Sequence, residues 1–168
     1  MLFRSRTPWT LTAASDFAAC LAGLVGLPAA IGETVHITSD EVLTWSDIYR
    51  HTADALGVTD PAIVPVPTRF ICDLRPELTA KLRGDKAEPG VFDNTKIRLL
   101  VPDFRCRIPY LQGIRASVAW FQGDPSRKRP DPVVDEVFDA VLTAWNRVGN
   151  ERNLRQERRE TKPQGYFI

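Results

Sequence analysis

The stretch Leu43-Thr-Trp-Ser-Asp-Ile-Tyr-Arg-His-Thr-Ala-Asp-Ala-Leu-Gly57 carries the clearest local structural signal in the chain. Thr44 is a good N-cap residue, and Asp47, three residues later, can complete a variant of the capping box. Apolar side chains then recur at helical spacing, and Gly57 can adopt the left-handed backbone conformation that ends a helix. The pattern predicts an amphipathic helix between Thr44 and Gly57 with one face in the core.

A first helix is indicated nearer the N-terminus. Ser15 and Asp16 are good helix starters and Gly26 and Pro28 are good stoppers, so the helix is predicted over roughly residues 16–25. Its apolar residues follow the spacing of one helical face, which we expect to pack in the core. That face consists of Phe17, Cys20, Leu21, Leu24 and Val25.

Three later helices are expected, starting at Asp93 or Asn94, after Pro109, and at Pro132, with Gly149 ending the last one. Residues 33–38 alternate and are rich in β-branched side chains, which predicts a strand. Residues 62–67 contain two prolines, which confine that segment to a sheet edge or a crossing position. Residues 85–90 are predicted to form a loop.

Length and composition are those of one globular domain. The chain has 168 residues, 43% of them hydrophobic and 26% charged, with a net charge of +1. These values exclude a disordered chain. A near-neutral chain has no general attraction to nucleic acid or to anionic membranes, so neither is expected as a partner.

Targeting and cysteine patterns both favour the cytoplasm. The apolar run from Phe17 to Pro28 resembles a signal peptide, but its helical spacing favours a helix of the globular domain. It is too short to span a bilayer. Cys20, Cys72 and Cys106 include no CxxC pair, which indicates neither a zinc site nor a disulfide framework. We therefore expect free thiols and a cytoplasmic location.

Several motifs of catalysis and cofactor binding are missing from the sequence. Gly23 and Gly26 fall within or at the end of a predicted helix, whereas a dinucleotide loop must open a helix after a strand. His36 and His51, the two histidines, are more simply structural than catalytic. No catalytic, cofactor-binding or metal-binding residue is therefore predicted.

A cluster of basic residues lies between positions 81 and 107. Arginine forks match phosphate oxygens, so the cluster could hold an anionic group. The alternative is a set of solvated charges beside acidic neighbours, and both interpretations stay open. The cluster comprises Lys81, Arg83, Lys86, Lys96, Arg98, Arg105 and Arg107.

The order of several segments resembles the NAD-dependent epimerase/dehydratase family, the extended short-chain dehydrogenases/reductases. The resemblance covers roughly residues 9–148, and it depends on the ordered set of segments more than on any one of them. Those segments are Trp9-Thr-Leu-Thr-Ala-Ala-Ser-Asp-Phe-Ala18, Gly32-Glu-Thr-Val-His-Ile-Thr38, Leu43-Thr-Trp-Ser-Asp-Ile48, Gly84-Asp-Lys86, Val91-Phe-Asp-Asn-Thr-Lys-Ile97, Leu100-Val-Pro-Asp-Phe104 and Pro109 to Phe121.

The resemblance implies an α/β fold that is the helix-rich, C-terminal part of an extended short-chain dehydrogenase, with a short incomplete sheet and no complete Rossmann domain. Residues 1–8 do not match the family, residues 9–148 correspond to its substrate-binding portion, and residues 149–168 form a polar tail. The family's Gly-rich loop and Tyr-x-x-x-Lys pair are missing, since no tyrosine here has a lysine four residues later.

The implied function is to supply substrate-pocket elements of a nicotinamide-dependent epimerase, dehydratase or reductase acting on a sugar-type substrate. The family uses NAD(P), but no cofactor is expected on this chain alone, which is therefore expected to be inactive by itself. Carried over onto this sequence, the substrate contacts are Arg105, Lys86, Lys96 and Trp9. Trp9 stands where UDP-sugar members often carry an arginine, and Ala13-Ala14 replace the family's His-Val pair.

The expected partners are a sugar-like small molecule and a Rossmann domain on another polypeptide, or a second copy bound through an exposed apolar face. Two alternatives to the enzyme part stay open. One is a non-catalytic binding or interaction module, because loss of the Rossmann half would expose an apolar face. The other is an inactive gene remnant, which predicts poor folding and incomplete protection of backbone amides.

Overall fold

The computed structural model describes the backbone of residues 6–160 and the side chains of residues 6–150. The chain divides into two units, a body that ends at Arg129 and a C-terminal unit that begins at Pro130. The predicted N-terminal segment 1–8 and polar tail 149–168 lie partly outside the described residues.

Within the described part of the body, two dipeptide strands pair antiparallel, with Pro8 opposite Thr44 and Trp9 opposite Leu43. Short 3₁₀ turns at Pro28–Ala30, Pro76–Leu78 and Pro125–Arg127 and a π-helical turn at Leu82–Lys86 connect the α-helices. The strands and helices are β1 (Pro8–Trp9), α1 (Ala14–Leu24), β2 (Leu43–Thr44), α2 (Trp45–Ala55), α3 (Thr68–Leu74), α4 (Thr79–Lys81), α5 (Thr95–Leu100) and α6 (Tyr110–Gln122).

Helix α2 begins as its sequence predicts. The backbone N–H of Asp47 donates to Thr44 Oγ1 at 3.2 Å, and the Thr44 N–H donates back to the Asp47 carboxylate at 3.0 Å. The Thr44 hydroxyl also donates to this carboxylate at 2.6 Å, and its bond, together with that of the Thr44 N–H, holds the pKa of the Asp47 carboxyl below its usual value. Gly57 follows the helix with a φ of +79°, the left-handed conformation expected of it.

The core of the body is built where α1, α5 and the segments beside them meet. Cys20, Ile37, Ile97 and Phe104 are buried together, and Leu24 and Val101 pack against them. Ile97 is fully buried and Phe104 is 2% exposed. The helix expected after Asp93 or Asn94 is therefore α5, which ends at Leu100 and places Ile97 in the core.

The predicted strand over residues 33–38 is wrong, because these residues pair with no other strand. The alternation instead reflects one-sided packing, with Val35 and Ile37 against the core. Backbone groups of this part of the chain bond to side chains: Thr38 C=O accepts from Asn94 Nδ2 at 2.8 Å. A period-2 pattern indicates which side chains are buried but does not identify a hydrogen-bonding neighbour.

Two further predictions in the body need correction. Helix α1 forms close to its predicted position, but Phe17 and Leu21 are each 44% exposed and Val25 is 76% exposed. Only the Cys20 and Leu24 stripe, spaced by one helical turn, reaches the core. The loop predicted over residues 85–90 begins inside the π-helical turn Leu82–Lys86.

The described residues of the C-terminal unit form one long helix, α7 (Pro132–Glu160). Asp131 caps it as predicted, since its carboxylate accepts from the Val133 N–H at 3.0 Å. The prediction that Gly149 ends the helix is wrong. An internal glycine costs a helix about 1 kcal/mol, and the good helix formers that follow, such as Glu151, Arg152 and Leu154, favour its continuation.

The described residues are therefore helix-rich with a short two-stranded sheet, as expected, while the relation to extended short-chain dehydrogenases stays a prediction. Across residues 6–160, none of the helices combines the length and apolar character needed to cross a membrane.

Candidate functional site

A cavity of about 440 Å³ lies between two segments of the body that are far apart in the chain. One wall is the approach to α1, residues 11–15, and the other is the start of α6 with the residues before it, residues 108–117. Both walls belong to segments that carry the family resemblance. The volume of the cavity is in the range found for small-molecule binding sites.

Two carboxylates hold the α6 wall in place. Asp16, which is 8% exposed, accepts a hydrogen bond from the Ile108 N–H at 2.8 Å. Glu41 accepts from the Tyr110 N–H at 2.6 Å. Negative charge is favourable at a helix N-terminus, so both bonds stabilise the point where α6 begins. Sequence reasoning missed both roles, although a carboxylate beside an apolar helical face, as at Asp16, was a signal that it needed a partner.

The lining of the cavity combines apolar side chains with hydroxyl groups. Leu11, Ile108 and Ile114 supply apolar surface, and Thr12 and Tyr110 supply hydroxyls. The Tyr110 hydroxyl lies 2.9 Å from the Thr52 hydroxyl of α2. Thr12 Oγ1 accepts from the Ser39 N–H at 2.9 Å. This composition suits a small molecule with apolar faces and several hydroxyl groups.

A row of aromatic side chains runs from β1 along α2; this aromatic row consists of Trp9, Trp45 and Tyr49. The Trp9 and Trp45 ring centroids are 5.4 Å apart, and those of Trp45 and Tyr49 are 6.3 Å apart. Burial raises the pKa of the Tyr49 hydroxyl, and the nearby Tyr110 raises it further. Tyr49 and the cavity residue Tyr110 thus influence one another electrostatically.

Lys86 lies over the aromatic row. Its Nζ is 5.3 Å from the Trp9 ring centroid and 5.9 Å from that of Trp45, within the range of cation–π attraction. The Trp45 indole N–H donates to the Lys86 carbonyl at 3.2 Å, and Lys86 Nζ pairs with Asp85. Two of the four predicted substrate contacts, Trp9 and Lys86, are thus brought together.

The other two predicted contacts have different neighbours. Lys96 pairs with Glu33 and donates to the Thr34 carbonyl at 2.8 Å. The Arg105 guanidinium donates to the Phe104 carbonyl at 2.6 Å. None of these contacts involves Trp9 or Lys86, so the described geometry does not join the four residues into one site.

The two histidines have aromatic neighbours. The His36 ring is 4.9 Å from that of Phe92, and the His51 ring is 6.3 Å from that of Tyr110. Among the described residues, no group of three or more His, Cys, Asp or Glu side chains is arranged to hold a metal ion.

Comparison of the chain with models of protein families, with curated proteins and with solved structures found no match. The family assignment therefore stays a prediction from the ordered motifs.

The end of α1, around Gly23 and Gly26, does not fit a dinucleotide-binding loop. Such a site needs a glycine-rich loop between a strand and the N-terminus of a helix, where amides face the pyrophosphate. Gly23 instead lies inside α1, where an added Cβ would be 3.0 Å from Val101. The first turn of α1 also carries the carboxylate of Asp16, which would repel a pyrophosphate.

Proposed function

We propose that the body supplies the substrate-binding walls of an NAD-dependent epimerase, dehydratase or reductase that acts on a sugar-type molecule in the cytoplasm. The cavity between residues 11–15 and 108–117 carries this proposal. Both of its walls come from stretches that resemble the family, and the folded chain places them opposite one another. The nicotinamide-binding Rossmann domain comes from outside this sequence.

The roles of the residues follow from their chemistry. Among the residues that line the cavity, Tyr110 and Thr12 offer hydroxyls to the polar edge of a sugar ring, and Leu11 and Ile114 offer apolar surface to its C–H faces.

Trp9 and Trp45 are not among the lining residues, and the proposal extends the site to them because the family resemblance places a substrate contact at Trp9. Lys86 supplies a positive charge beside the aromatic row. A lysine there favours a substrate that carries a phosphate or carboxylate.

In the intact family the nicotinamide cofactor supplies or accepts hydride, and a tyrosine–lysine pair moves the proton. This chain has no such pair, so it binds and orients substrate, and we infer that it has no oxidoreductase activity by itself.

An NMR titration of the full chain tests the proposal, with glucose, glucose 1-phosphate and UDP-glucose as probes. We expect at least one probe to shift the backbone amide signals of Thr12 and Gly113 and the indole signals of Trp9 and Trp45. No shift from any probe up to about 10 mM, a concentration above the range of useful substrate affinity, would contradict the proposal.

Three variants make the titration specific. Trp9→Phe is expected to weaken binding several-fold, whereas the matched variant Trp120→Phe, at a position 64% exposed, is expected to leave it unchanged. Lys86→Met is expected to weaken binding of glucose 1-phosphate but not of glucose. Equal effects of the two tryptophan variants would show that the aromatic row is not part of the binding site.

A non-catalytic interaction module is the second candidate, and the exposed face of α1 favours it. Phe17, Leu21 and Val25 present an apolar surface beside a groove of about 340 Å³. Apolar patches of this kind mark interaction surfaces. If the full chain stays monomeric, soluble and free of binding to the hydrophobic dye ANS at high concentration, this candidate is wrong.

A further inference from the structure

The cavity between residues 11–15 and 108–117 is lined by thirteen residues, and none of these thirteen carries a charged side chain. Seven of them are alanine, leucine, isoleucine or proline, so more than half of the lining is apolar. A charged ligand that entered would lose its water and meet no counter-charge in the lining, which is costly. The composition of the lining therefore favours an uncharged ligand with an apolar body.

The lining also offers a few neutral polar groups to a ligand. Thr12 Oγ1 accepts from the Ser39 N–H at 2.9 Å, which leaves the hydroxyl hydrogen of Thr12 available to donate. The Ser15 hydroxyl and the Gln112 side-chain amide have no hydrogen-bond partner among the described residues. Hydroxyl and amide groups both donate and accept, so they suit hydroxyl or carbonyl groups on the ligand.

Two carboxylates add negative charge beside the α6 wall of the cavity. Asp16 accepts from the N–H of Ile108, and Glu41 accepts from the N–H of Tyr110, and both of these donors belong to lining residues. The N-terminus of a helix attracts anions, but at α6 the carboxylate of Glu41 already occupies that position. An anionic ligand in the cavity would therefore be repelled by two nearby charges of its own sign.

The lysine among the predicted substrate contacts does not offset this negative charge inside the cavity. Lys86 is not one of the lining residues, and its ammonium group lies over the Trp9 and Trp45 rings and pairs with Asp85. A phosphate or carboxylate that binds to Lys86 therefore lies outside the cavity.

We propose that the cavity binds an uncharged ring that has an alkyl face and one or two hydroxyl or carbonyl groups, and that it discriminates against carboxylates and phosphates. The inference rests on the proposed function in one respect, since both take this cavity as the ligand site. It defines the part of the substrate that enters the cavity as a neutral ring less polar than a fully hydroxylated sugar.

An NMR titration of the full chain with three ring compounds tests the inference. Cyclohexanecarboxamide is neutral, cyclohexanecarboxylate is an anion of the same shape, and cyclohexylmethylamine is a cation at pH 7. We expect the carboxamide to shift the backbone amide signals of Thr12 and Gly113 at concentrations up to about 10 mM. The carboxylate is expected to bind at least about tenfold more weakly, because of its desolvation and the repulsion from Asp16 and Glu41. The amine is also expected to bind more weakly than the carboxamide, since no lining residue pairs with its charge.

A pair of matched variants tests the repulsion separately. Glu41→Gln keeps an oxygen that can accept from the Tyr110 N–H but removes the charge. It is expected to raise the affinity for the carboxylate several-fold and to leave the affinity for the carboxamide unchanged, which also shows that the variant is folded. Glu77→Gln removes a charge at a residue outside the lining and is expected to change neither affinity.

Gly113→Leu shows whether the probes bind inside the cavity. A Cβ at Gly113 would lie 3.7 Å from Ile108 Cγ2, an ordinary contact, so a larger side chain can be attached there without a clash of its Cβ. The leucine side chain is expected to fill the space and to abolish the shifts caused by the carboxamide, while the helical circular dichroism stays that of the unmodified chain.

Four results would overturn the inference: no binding of the carboxamide, a carboxylate bound as tightly as the carboxamide, an amine bound most tightly of the three, or a carboxylate affinity that Glu41→Gln leaves unchanged. Failure of the sugar-type function gives a different result. If the carboxamide binds with the expected selectivity and none of the three sugar probes binds, the inference stands and the sugar-type substrate is wrong.

Discussion

The placement of the Trp9 ring depends on Gly90. It bridges to Trp9, its N–H donates to the Pro8 carbonyl at 3.0 Å, and a Cβ built on it would lie 2.6 Å from the Trp9 ring. Because Gly90 has no side chain, the Trp9 indole can lie against the backbone there and contact Trp45. The sequence alone could not reveal this, because the two residues are 81 positions apart.

Gly90→Ala is therefore expected to destabilise the protein by about 1–3 kcal/mol, as overpacking does when the neighbour cannot move freely. Urea unfolding measures the change. Gly84→Ala is the matched control, because a Cβ at Gly84 has open space and the expected effect is within about 0.5 kcal/mol. Equal effects of the two substitutions would show that Trp9 can move away.

The raised pKa of the Cys106 thiol, a result of its burial, predicts that the protein loses stability at alkaline pH. Its pKa is about 11 in the folded protein, against a usual value of 9.0, so the folded state holds the proton more tightly. The stabilisation is present below pH 9 and is lost as the pH rises toward 11. Denaturant unfolding under reducing conditions at pH 8 to 11 measures it, and Cys106→Ser is expected to flatten the profile. An equally steep profile in that variant would assign the loss to another group.

Among the helices, local capping signals were the most reliable. The Thr44–Asp47 box and the Asp131 cap both match the sequence, since each depends on residues within one turn. The start of α6 after Pro109 also matches, although its bonds come from the distant carboxylates Asp16 and Glu41. Two element predictions were wrong, one for a nonlocal reason and one for a local reason. Residues 33–38 lacked a strand partner, and Gly149 lacked any feature that makes a glycine end a helix.

Thr44→Ala tests the cap of α2. The variant loses the hydroxyl that accepts from Asp47, and we expect a cost of about 1 kcal/mol in the free energy of unfolding. Thr44→Ser keeps the hydroxyl and is expected to recover most of that loss. If alanine and serine behaved alike, the cost would come from the methyl group of threonine and not from the cap.

The same substitution at two glycines is expected to have opposite effects. Gly149→Ala, inside α7, is expected to stabilise the helix by about 0.5–1 kcal/mol. Gly57→Ala, at a φ of +79°, is expected to cost about 1 kcal/mol or more. Hydrogen exchange at the neighbouring amides measures both. Stabilisation at both positions would contradict the assigned backbone conformation of Gly57.

Over the whole molecule, hydrophobic patterning predicted a helix-rich chain with little sheet, and the described residues agree. The site was less accessible to sequence reasoning. The sequence predicted four substrate contacts, Trp9, Lys86, Lys96 and Arg105, as one group. The structure does not join them, because Lys96 pairs with the distant Glu33 and Arg105 donates to the backbone carbonyl of Phe104. The anchoring roles of Asp16 and Glu41 became visible only once the chain was folded.

Paired carboxylates throughout the body predict acid sensitivity. Hydrogen bonds from Arg98 and Asn94 lower the pKa of Asp40, a bond from Lys96 lowers that of Glu33, and a bond from Thr95 lowers that of Asp93. Stability from depressed carboxyl pKa values is present above the usual range near 4 and is lost as the pH falls through the folded values. Thermal unfolding from pH 6 to 2 measures this. Asp40→Asn is expected to make the acid profile shallower, and an unchanged profile would locate the sensitivity elsewhere.

The separation of the cavity walls along the chain has a consequence for biosynthesis. Residues 11–15 leave the ribosome well before their opposing wall, which is not complete until residue 117 has cleared the exit tunnel. During that interval α1 has neither the Asp16–Ile108 bond nor the core contacts of Phe104. Until residue 117 emerges, the nascent chain thus carries an uncovered apolar helix, which is the form that cellular chaperones bind.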